Sequence, residues 1–210
     1  MSKKSNTRHW LEQHKKDPYV RAAQANNYRS RAVYKLEQID AKDHLIKANA
    51  VIVDLGSAPG GWSQYCAQRL RGKGSVIAVD LLPMEPLEGV SFTQTDFTTD
   101  EGLQALETML AGQRVDLVLS DMAPNLTGVT VVDQMQAMHL AELTLDFCAT
   151  YLKPGGNLLV KVFQGEGFDQ LLAQTRKQFK RVAVRKPDAS RDRSREKFLA
   201  GFGWRGQDFD

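Results

Sequence analysis

Four polar residues spread along the chain have side chains that can move protons or orient a reacting group: Lys35, Asp121, Lys161 and Glu196. Lys161 interrupts the apolar segment 157–163, which is typical of an interior strand. An ammonium group inside such a strand is costly unless it has partners or a catalytic role. Taken singly, Lys35 reads as a surface lysine, Asp121 as a strand cap and Glu196 as an ion-pair partner. Together with Lys161 they form a candidate catalytic tetrad.

The elements that must position these residues follow from the hydrophobic pattern. Segments rich in apolar and β-branched residues predict seven strands, at 51–56, 75–81, 90–97, 115–121, 157–163, 181–186 and 197–204. Helical periodicity predicts helices at 8–24, 30–44, 61–71, 100–111, 132–152 and 168–179. Because strands and helices alternate, we predict an α/β fold with a doubly wound, mostly parallel sheet and helices on both faces.

Local signals refine this pattern. The last two predicted strands have no helix between them, so they predict an antiparallel hairpin joined by the basic loop 187–195. Thr98 and Glu101 have the spacing of a capping box for the helix at 100–111. Residues 153–156, Lys-Pro-Gly-Gly, predict a turn after the helix at 132–152.

Composition predicts one domain. With 210 residues and 42% hydrophobic content, the chain suits a single domain, with a basic helical extension at 1–45 and a core at 46–204. We find no apolar run of signal-peptide or membrane-span length, so we expect a cytoplasmic protein without a membrane partner. We also expect a monomer. Cys66 and Cys148 fit two reduced core thiols better than a disulfide. The four histidines lack metal-ligand spacing, and no metal is predicted.

The net charge of +3 hides two basic blocks. Residues 1–35 and 176–197 each carry +7, which leaves −11 for the remainder. Charge runs are often only solvated faces, but two basic blocks on an acidic body are typical of a polyanion site and favour a nucleic-acid partner. Four aromatic residues lie in or beside the first block and either stack on bases or hold the N-terminal helices to the sheet: Trp10, Tyr19, Tyr28 and Tyr34.

A glycine-containing turn after the first strand predicts a ligand site at the carboxyl edge of the sheet. Gly56 and Gly60 flank three residues, which matches neither G-x-G-x-x-G nor a P-loop. Asp80 ends the second strand and can bind a ribose diol, and Asp96 ends the third and can accept a hydrogen bond from an adenine amino group. This pattern favours an adenosine without phosphates, as in S-adenosylmethionine (SAM).

The segments 54–63, 120–125, 160–165, 185–190 and 194–196 resemble the motifs of the bacterial FtsJ-type ribosomal RNA 2′-O-ribose methyltransferases, and the resemblance runs from about residue 10 to 203. It implies a Rossmann-like SAM-dependent methyltransferase fold. It also implies methylation of a uridine ribose in 23S rRNA of the assembled large ribosomal subunit, with S-adenosylhomocysteine (SAH) as product. The implied catalytic residues are Lys35, Asp121, Lys161 and Glu196, and those around SAM are Gly60, Trp62, Asp80, Asp96 and Asp121.

Several alternatives stay open from the sequence. Lys161 is either a general base or a donor that orients the hydroxyl. A tRNA or messenger-cap 2′-O-methyltransferase would use the same four residues. A small-molecule methyltransferase is disfavoured by the basic blocks, and a ribosome-assembly factor that binds RNA without catalysis would share them.

Overall fold

The structure is a computed structural model that describes residues 17–125, 127–191 and 194–206. These residues form six helices: α1 (Pro18–Ala25), α2 (Val33–Asp43), α3 (Gly61–Leu70), α4 (Asp100–Leu110), α5 (Thr130–Tyr151) and α6 (Phe168–Gln178). They also form seven strands: β1 (Val51–Leu55), β2 (Ser75–Asp80), β3 (Val90–Gln94), β4 (Val115–Ser120), β5 (Leu152–Phe163), β6 (Phe179–Arg185) and β7 (Glu196–Trp204). The part of the predicted first helix before residue 17 lies outside the described residues.

All seven strands belong to one sheet in the order β3-β2-β1-β4-β5-β7-β6. The pairs from β3 to β5 are parallel, whereas β7 pairs antiparallel with both β5 and β6. The prediction of a mostly parallel sheet that ends in an antiparallel hairpin is confirmed. The reversal of β7 matters for the site because it brings the first residue of β7 beside the last residue of β5, where Phe163 pairs with Glu196.

Helices cover both faces of the sheet, as predicted. Side chains alternate along each strand, so neighbouring strand residues enter different cores. One core contains Leu55 and Leu158 and is covered by α4, α5 and α6, whereas the other contains Ile52 and Leu159 and is covered by α1, α2 and α3. The cysteines Cys66 and Cys148 are free and buried, one in each core, which confirms two separate thiols.

Two local predictions were wrong. Thr99, rather than Thr98, caps α4, and its hydroxyl accepts a hydrogen bond from Gly102 N at 3.1 Å. The Thr98 hydroxyl instead donates to Asp96 Oδ1 at 2.6 Å. The predicted turn at 153–156 lies within β5, which begins directly after α5 ends and shifts register against β4 in this region. Only the flanking residues pair with β4, Leu152 with Val115 and Asn157 with Leu117, so residues 153–156 form an irregularity of the strand rather than a separate turn.

Among the described residues, none of the helices combines the length and the apolar character needed to cross a membrane.

Candidate active site

Lys161 and Asp121 form an ion pair at the carboxyl edge of the sheet. The last residue of β4, Ser120, pairs with Val160 of β5. Asp121, which follows β4, therefore lies beside Lys161 of β5. Lys161 Nζ is 3.1 Å from Asp121 Oδ1 and also donates to the Asp121 main-chain oxygen. The Lys161 side chain is only 7% exposed. Its ammonium group therefore has the partners that burial in an apolar strand requires.

Lys35 and Glu196 form a second ion pair on the same side of the sheet. Lys35 lies in the first turn of α2 and Glu196 begins β7, and Nζ is 2.8 Å from Oε1 and 2.9 Å from Oε2. The Ser190 hydroxyl donates to Oε1 at 2.9 Å, and the main-chain N–H of Glu196 donates to Ser194 Oγ at 3.1 Å. The carboxylate is therefore held by an ammonium group and a buried hydroxyl, and Ser194 fixes the backbone of the same residue.

Phe198 is the neighbour that the two ion pairs share. It pairs with Lys161 across β5 and β7, so the two side chains lie on one face of the sheet. Lys35 Nζ lies 5.6 Å from the centre of the Phe198 ring. The centre of the Trp62 ring, from α3, lies 5.7 Å from the same point. The structure thus brings the four predicted catalytic residues to one region as two ion pairs, Lys161 with Asp121 and Lys35 with Glu196.

A cavity of about 400 Å³ adjoins the Lys161–Asp121 pair. Three carboxylates predicted to bind the cofactor line it: Asp80, Asp96 and Asp121. Each follows or ends a different strand, and parallel strands bring their carboxyl ends to the same edge. Asp121 is the residue common to the cavity and the ion pair, so a ligand in the cavity lies beside Lys161.

The carboxylates of Asp80 and Asp96 keep capacity for a ligand. Asp80 accepts hydrogen bonds from Ala58 N through Oδ2 and from Leu82 N through Oδ1, both at 2.8 Å. Asp96 Oδ1 accepts two hydrogen bonds from Thr98, and within the described residues Oδ2 accepts none. A carboxylate accepts about four hydrogen bonds in total. The lining therefore fits a ligand that presents hydroxyl or amino donors, such as an adenosine.

Gly60 and Trp62 lie outside the cavity lining. A Cβ at Gly60, where φ is +105°, would lie 2.8 Å from Met84 Sδ, and one at Gly56 would lie 2.6 Å from Met122 Cγ. The Trp62 side chain is buried, and its indole N–H donates to Ala32 O at 2.8 Å. These glycines thus have a packing role that the sequence did not indicate, and cofactor binding by Gly60 and Trp62 stays a prediction.

Asp54, in β1 two residues before Gly56 of the cavity lining, is a candidate functional residue that the sequence reasoning missed. It is fully buried; Ser63 Oγ donates to its Oδ2 at 2.6 Å, and within the described residues Oδ1 has no hydrogen-bond partner. Burial raises the pKa of Asp54 to about 7, and repulsion from Asp121 and Asp80 adds to this increase. The signal was visible, because an acidic residue interrupts the apolar segment 51–55 just as Lys161 interrupts β5.

The basic blocks are partly used within the fold. Arg31 Nε lies 3.0 Å from Asp17 Oδ2, and Arg185 forms two hydrogen bonds of 2.7 Å with the carboxylate of Asp43. Arg195, by contrast, is exposed immediately before β7, beside the ion pair at the start of that strand. Only part of the positive charge that the sequence assigned to a polyanion site is therefore available for one.

The N-terminal tyrosines pack on one another. The ring of Tyr34 lies 5.6 Å from that of Tyr19 and 5.9 Å from that of Tyr28, and Tyr34 is buried. Asn26 Nδ2 donates to the Tyr34 hydroxyl at 2.9 Å. This supports the interpretation in which these aromatic residues hold the N-terminal helices in place. Trp10 lies outside the described residues.

The sheet order, the cavity at its carboxyl edge and the helices on both faces define a Rossmann-like methyltransferase fold. A human methyltransferase-like protein 13 solved in complex with SAH shares this fold with a TM-score of 0.57 at 15% identity, covering 84% of this chain and 85% of its own. The sequence matches the FtsJ-like methyltransferase family over residues 28–204, and the chain belongs to that family.

Relatives of known name support the same assignment. The ribosomal RNA large subunit methyltransferase E of Legionella pneumophila (strain Corby) is 50% identical over 97% of this chain and 99% of its own. The protein of the same name from Methylobacillus flagellatus is 53% identical over 96% and 97%. A structure described as a ribosomal RNA methyltransferase from Plasmodium falciparum has a TM-score of 0.76 at 30% identity, covering 85% of this chain and 100% of its own. The predicted family and fold are confirmed.

Proposed function

We propose that this methyltransferase transfers the methyl group of SAM to the ribose 2′-hydroxyl of a uridine in 23S rRNA of the large ribosomal subunit. The observation that carries the proposal is the position of Asp121, which lines the cavity and binds Lys161 at 3.1 Å. A donor in the cavity would have the Lys161 amine beside it and the Lys35–Glu196 pair on the same side of the sheet. The names of the two bacterial relatives support ribosomal RNA as the substrate class.

The residues of the cavity would hold SAM through its adenosine. Asp80 accepts hydrogen bonds from the ribose diol, Asp96 accepts one from the adenine amino group, and Asp121 lies beside the reacting end. SAM supplies an electrophilic methyl group on a sulfonium centre. The protein contributes by aligning the acceptor oxygen with this methyl group and by excluding water, and such positioning lowers a barrier by up to roughly 7–11 kcal/mol.

The two ion pairs would have different roles toward the RNA substrate. Lys161 either takes the hydroxyl proton as a base or donates a hydrogen bond that orients the oxygen, and Asp121 fixes the direction of its amine. Lys35 holds the target ribose or its phosphate, and Glu196 fixes Lys35 through both carboxylate oxygens. A pH–rate profile of single turnovers separates the two roles of Lys161, because a base gives a rate that rises with the fraction of neutral amine.

The substrate is proposed to be the assembled subunit rather than free RNA. The helices and strands of the described residues all pack on a single sheet, so target choice would depend on a preformed RNA shape presented to the active-site edge. We also propose that the enzyme is monomeric and cytoplasmic and that 23S rRNA is its partner.

The test offers labelled SAM to large subunits from cells that lack this modification and, in parallel, to naked 23S rRNA, to tRNA and to capped RNA. We expect transfer to the subunits, little transfer to the other substrates, and a modified uridine ribose on mapping. Transfer to tRNA or capped RNA at the highest rate would identify another 2′-O-methyltransferase. RNA binding without transfer to any substrate would indicate an assembly factor, and salt-insensitive transfer to a free metabolite would indicate a small-molecule enzyme.

A further inference from the structure

Arg29, which precedes α2, joins two segments of the cavity wall although its own side chain does not line the cavity. The first segment is the glycine turn, residues 56–60, and the second is the β2–β3 loop, residues 81–89. Arg29 Nη1 donates to Pro59 O at 3.2 Å and to Glu85 O at 2.6 Å, while Nη2 donates to Pro86 O at 2.7 Å. One guanidinium group therefore holds three main-chain carbonyls from both segments.

Asp80 joins the same two segments from the side of the sheet. Its Oδ2 accepts from Ala58 N in the glycine turn and its Oδ1 accepts from Leu82 N in the β2–β3 loop. Arg29 and Asp80 thus bind different residues of the same two segments. Asp80 lies in the cavity wall, whereas Arg29 lies outside it. If the Arg29 contacts are lost, the two segments keep the packing of Met84 on Gly60 and the hydrogen bonds to Asp80, whose carboxylate must also bind the ligand.

The position of Arg29 is itself fixed by the fold. Its main-chain N–H donates to Gln64 Oε1 at 3.0 Å, and Gln64 Nε2 donates to Asn27 O at 2.8 Å. A Cβ at Gly60 would lie 3.2 Å from Arg29 Cδ, so the side chain packs closely on the glycine turn. Gln64 lies in the first turn of α3, which links the guanidinium contacts to a helix of the core.

We propose that Arg29 is a positioning residue for donor binding, because it holds the glycine turn and the β2–β3 loop at the separation that lets Asp80 bind the donor ribose. This inference rests on the proposed function, in which SAM occupies the cavity. The planar guanidinium is the feature that matters, since its fork of fixed N–H groups serves three carbonyls at once. A lysine ammonium on a flexible stem keeps the charge without that geometry.

The experiment measures the Kd of SAH by calorimetry for the wild type, Arg29→Ala and Arg29→Lys, with Arg21→Ala as control, because Arg21 is an exposed arginine of α1. We expect Kd to rise about tenfold in both Arg29 variants, equivalent to about 1.4 kcal/mol. The kcat at saturating SAM and the KM for the RNA substrate should stay within about twofold of wild type, because weakened donor binding alone raises KM without lowering kcat. Arg21→Ala should bind SAH as the wild type does.

Three outcomes would overturn the inference: SAH affinity that is unchanged in the Arg29 variants, a wild-type Kd for Arg29→Lys, or a loss of kcat with unchanged SAH affinity. If neither Arg29 variant folds, Gln64→Ala decides, because it removes the contact that fixes Arg29 N; unchanged SAH affinity there would also contradict the proposal. A wild-type protein that fails to bind SAH would instead refute the proposed function, so the two failures are distinguishable.

Discussion

Lys161 and Asp121 are 40 positions apart in the chain, yet the amine of one lies 3.1 Å from the carboxylate of the other. The contact forms because β4 and β5 are parallel neighbours whose register places the two residues at the same height of the sheet. The carboxylate also lines the cavity, so the pair connects a ligand site to a buried amine. A purely structural ion pair would not need to lie beside the cavity at the carboxyl edge of the sheet.

We predict that Lys161→Met abolishes methyl transfer, with a loss of at least about 100-fold in kcat, because proton transfer or orientation by such a group contributes that much or more. Methionine retains most of the buried volume, so SAH binding should persist. The control is Lys153→Met, since Lys153 lies on the same strand and pairs with Asp116 at 2.9 Å, at the opposite end of β5 from Lys161. Turnover of the Lys161 variant near the wild-type rate would refute the role.

We predict that Ser190→Ala lowers kcat about tenfold without changing the Kd of SAH, because a hydrogen bond to a charged group contributes about 1.5–3 kcal/mol. The hydroxyl donates to the same oxygen of Glu196 that the Lys35 amine contacts at 2.8 Å. Ser190→Thr should restore most of the rate. Thr175→Val, which removes a buried hydroxyl of α6 on the other face of the sheet, is the control for a general loss of stability. Equal effects of both deletions would argue against a specific role.

We predict that Asp80→Asn weakens SAH binding by about tenfold or more, since an amide presents a donor where a main-chain N–H also donates and leaves that N–H unpaired. Calorimetric titration measures the effect directly. Asp116→Asn is the matched control, because Asp116 also accepts a main-chain hydrogen bond, from Val51 N at 2.8 Å, but lies in β4 near its start. If both variants bind SAH equally well, Asp80 does not contact the donor.

The pH dependence of stability tests Asp54. Its pKa is raised from 3.8 to about 7 when folded, so the folded state binds a proton that the unfolded state releases. This group therefore destabilises the protein progressively as pH rises from about 4 to about 7, with an upper limit of about 4 kcal/mol at 1.36 kcal/mol per pKa unit. Below this window the effect is absent, and above it the effect is constant.

Asp54→Asn removes this titration. In urea unfolding of the ligand-free protein, we expect the stability of the variant relative to wild type to increase from pH 5 to pH 8. Asp133→Asn is the control, because hydrogen bonds from Thr127 lower the pKa of Asp133, a half-buried residue at the start of α5, so this carboxylate stays ionised from pH 5 to pH 8 and the stability difference between its variant and wild type should not vary over that range. A difference between Asp54→Asn and wild type that does not vary with pH would show that Asp54 stays ionised in the folded protein.

We predict that Arg195→Ala weakens RNA binding and reduces the slope of log K against log salt by about 1, the value for one lost phosphate contact. Arg195 is exposed beside Glu196, and its main-chain oxygen accepts from Gln164 N at 3.0 Å, which places it at the end of β5. Lys177→Ala is the control, because Lys177 is exposed on α6, which packs on the other face of the sheet. Filter binding over a range of salt concentrations gives both slopes.

The amino-acid sequence by itself determined the order and type of most elements, because alternating and helical periodicity are local properties. It also showed that Lys161 needs partners, since an amine in an apolar strand is costly wherever the strand lies. The antiparallel reversal of β7 followed from a missing crossover helix between the last two strands. These conclusions required only the neighbours of each residue along the chain.

The tertiary structure alone decided which groups meet. That Lys161 pairs with Asp121 and Lys35 with Glu196 depends on the register between β4 and β5 and on the approach of α2 to β7, which no local pattern encodes. The packing role of Gly60 against Arg29 likewise depends on contacts between segments distant in the chain. Interaction energies fall off with distance in space, whereas the sequence records only distance along the chain, so pairing and burial become visible only when the chain is folded.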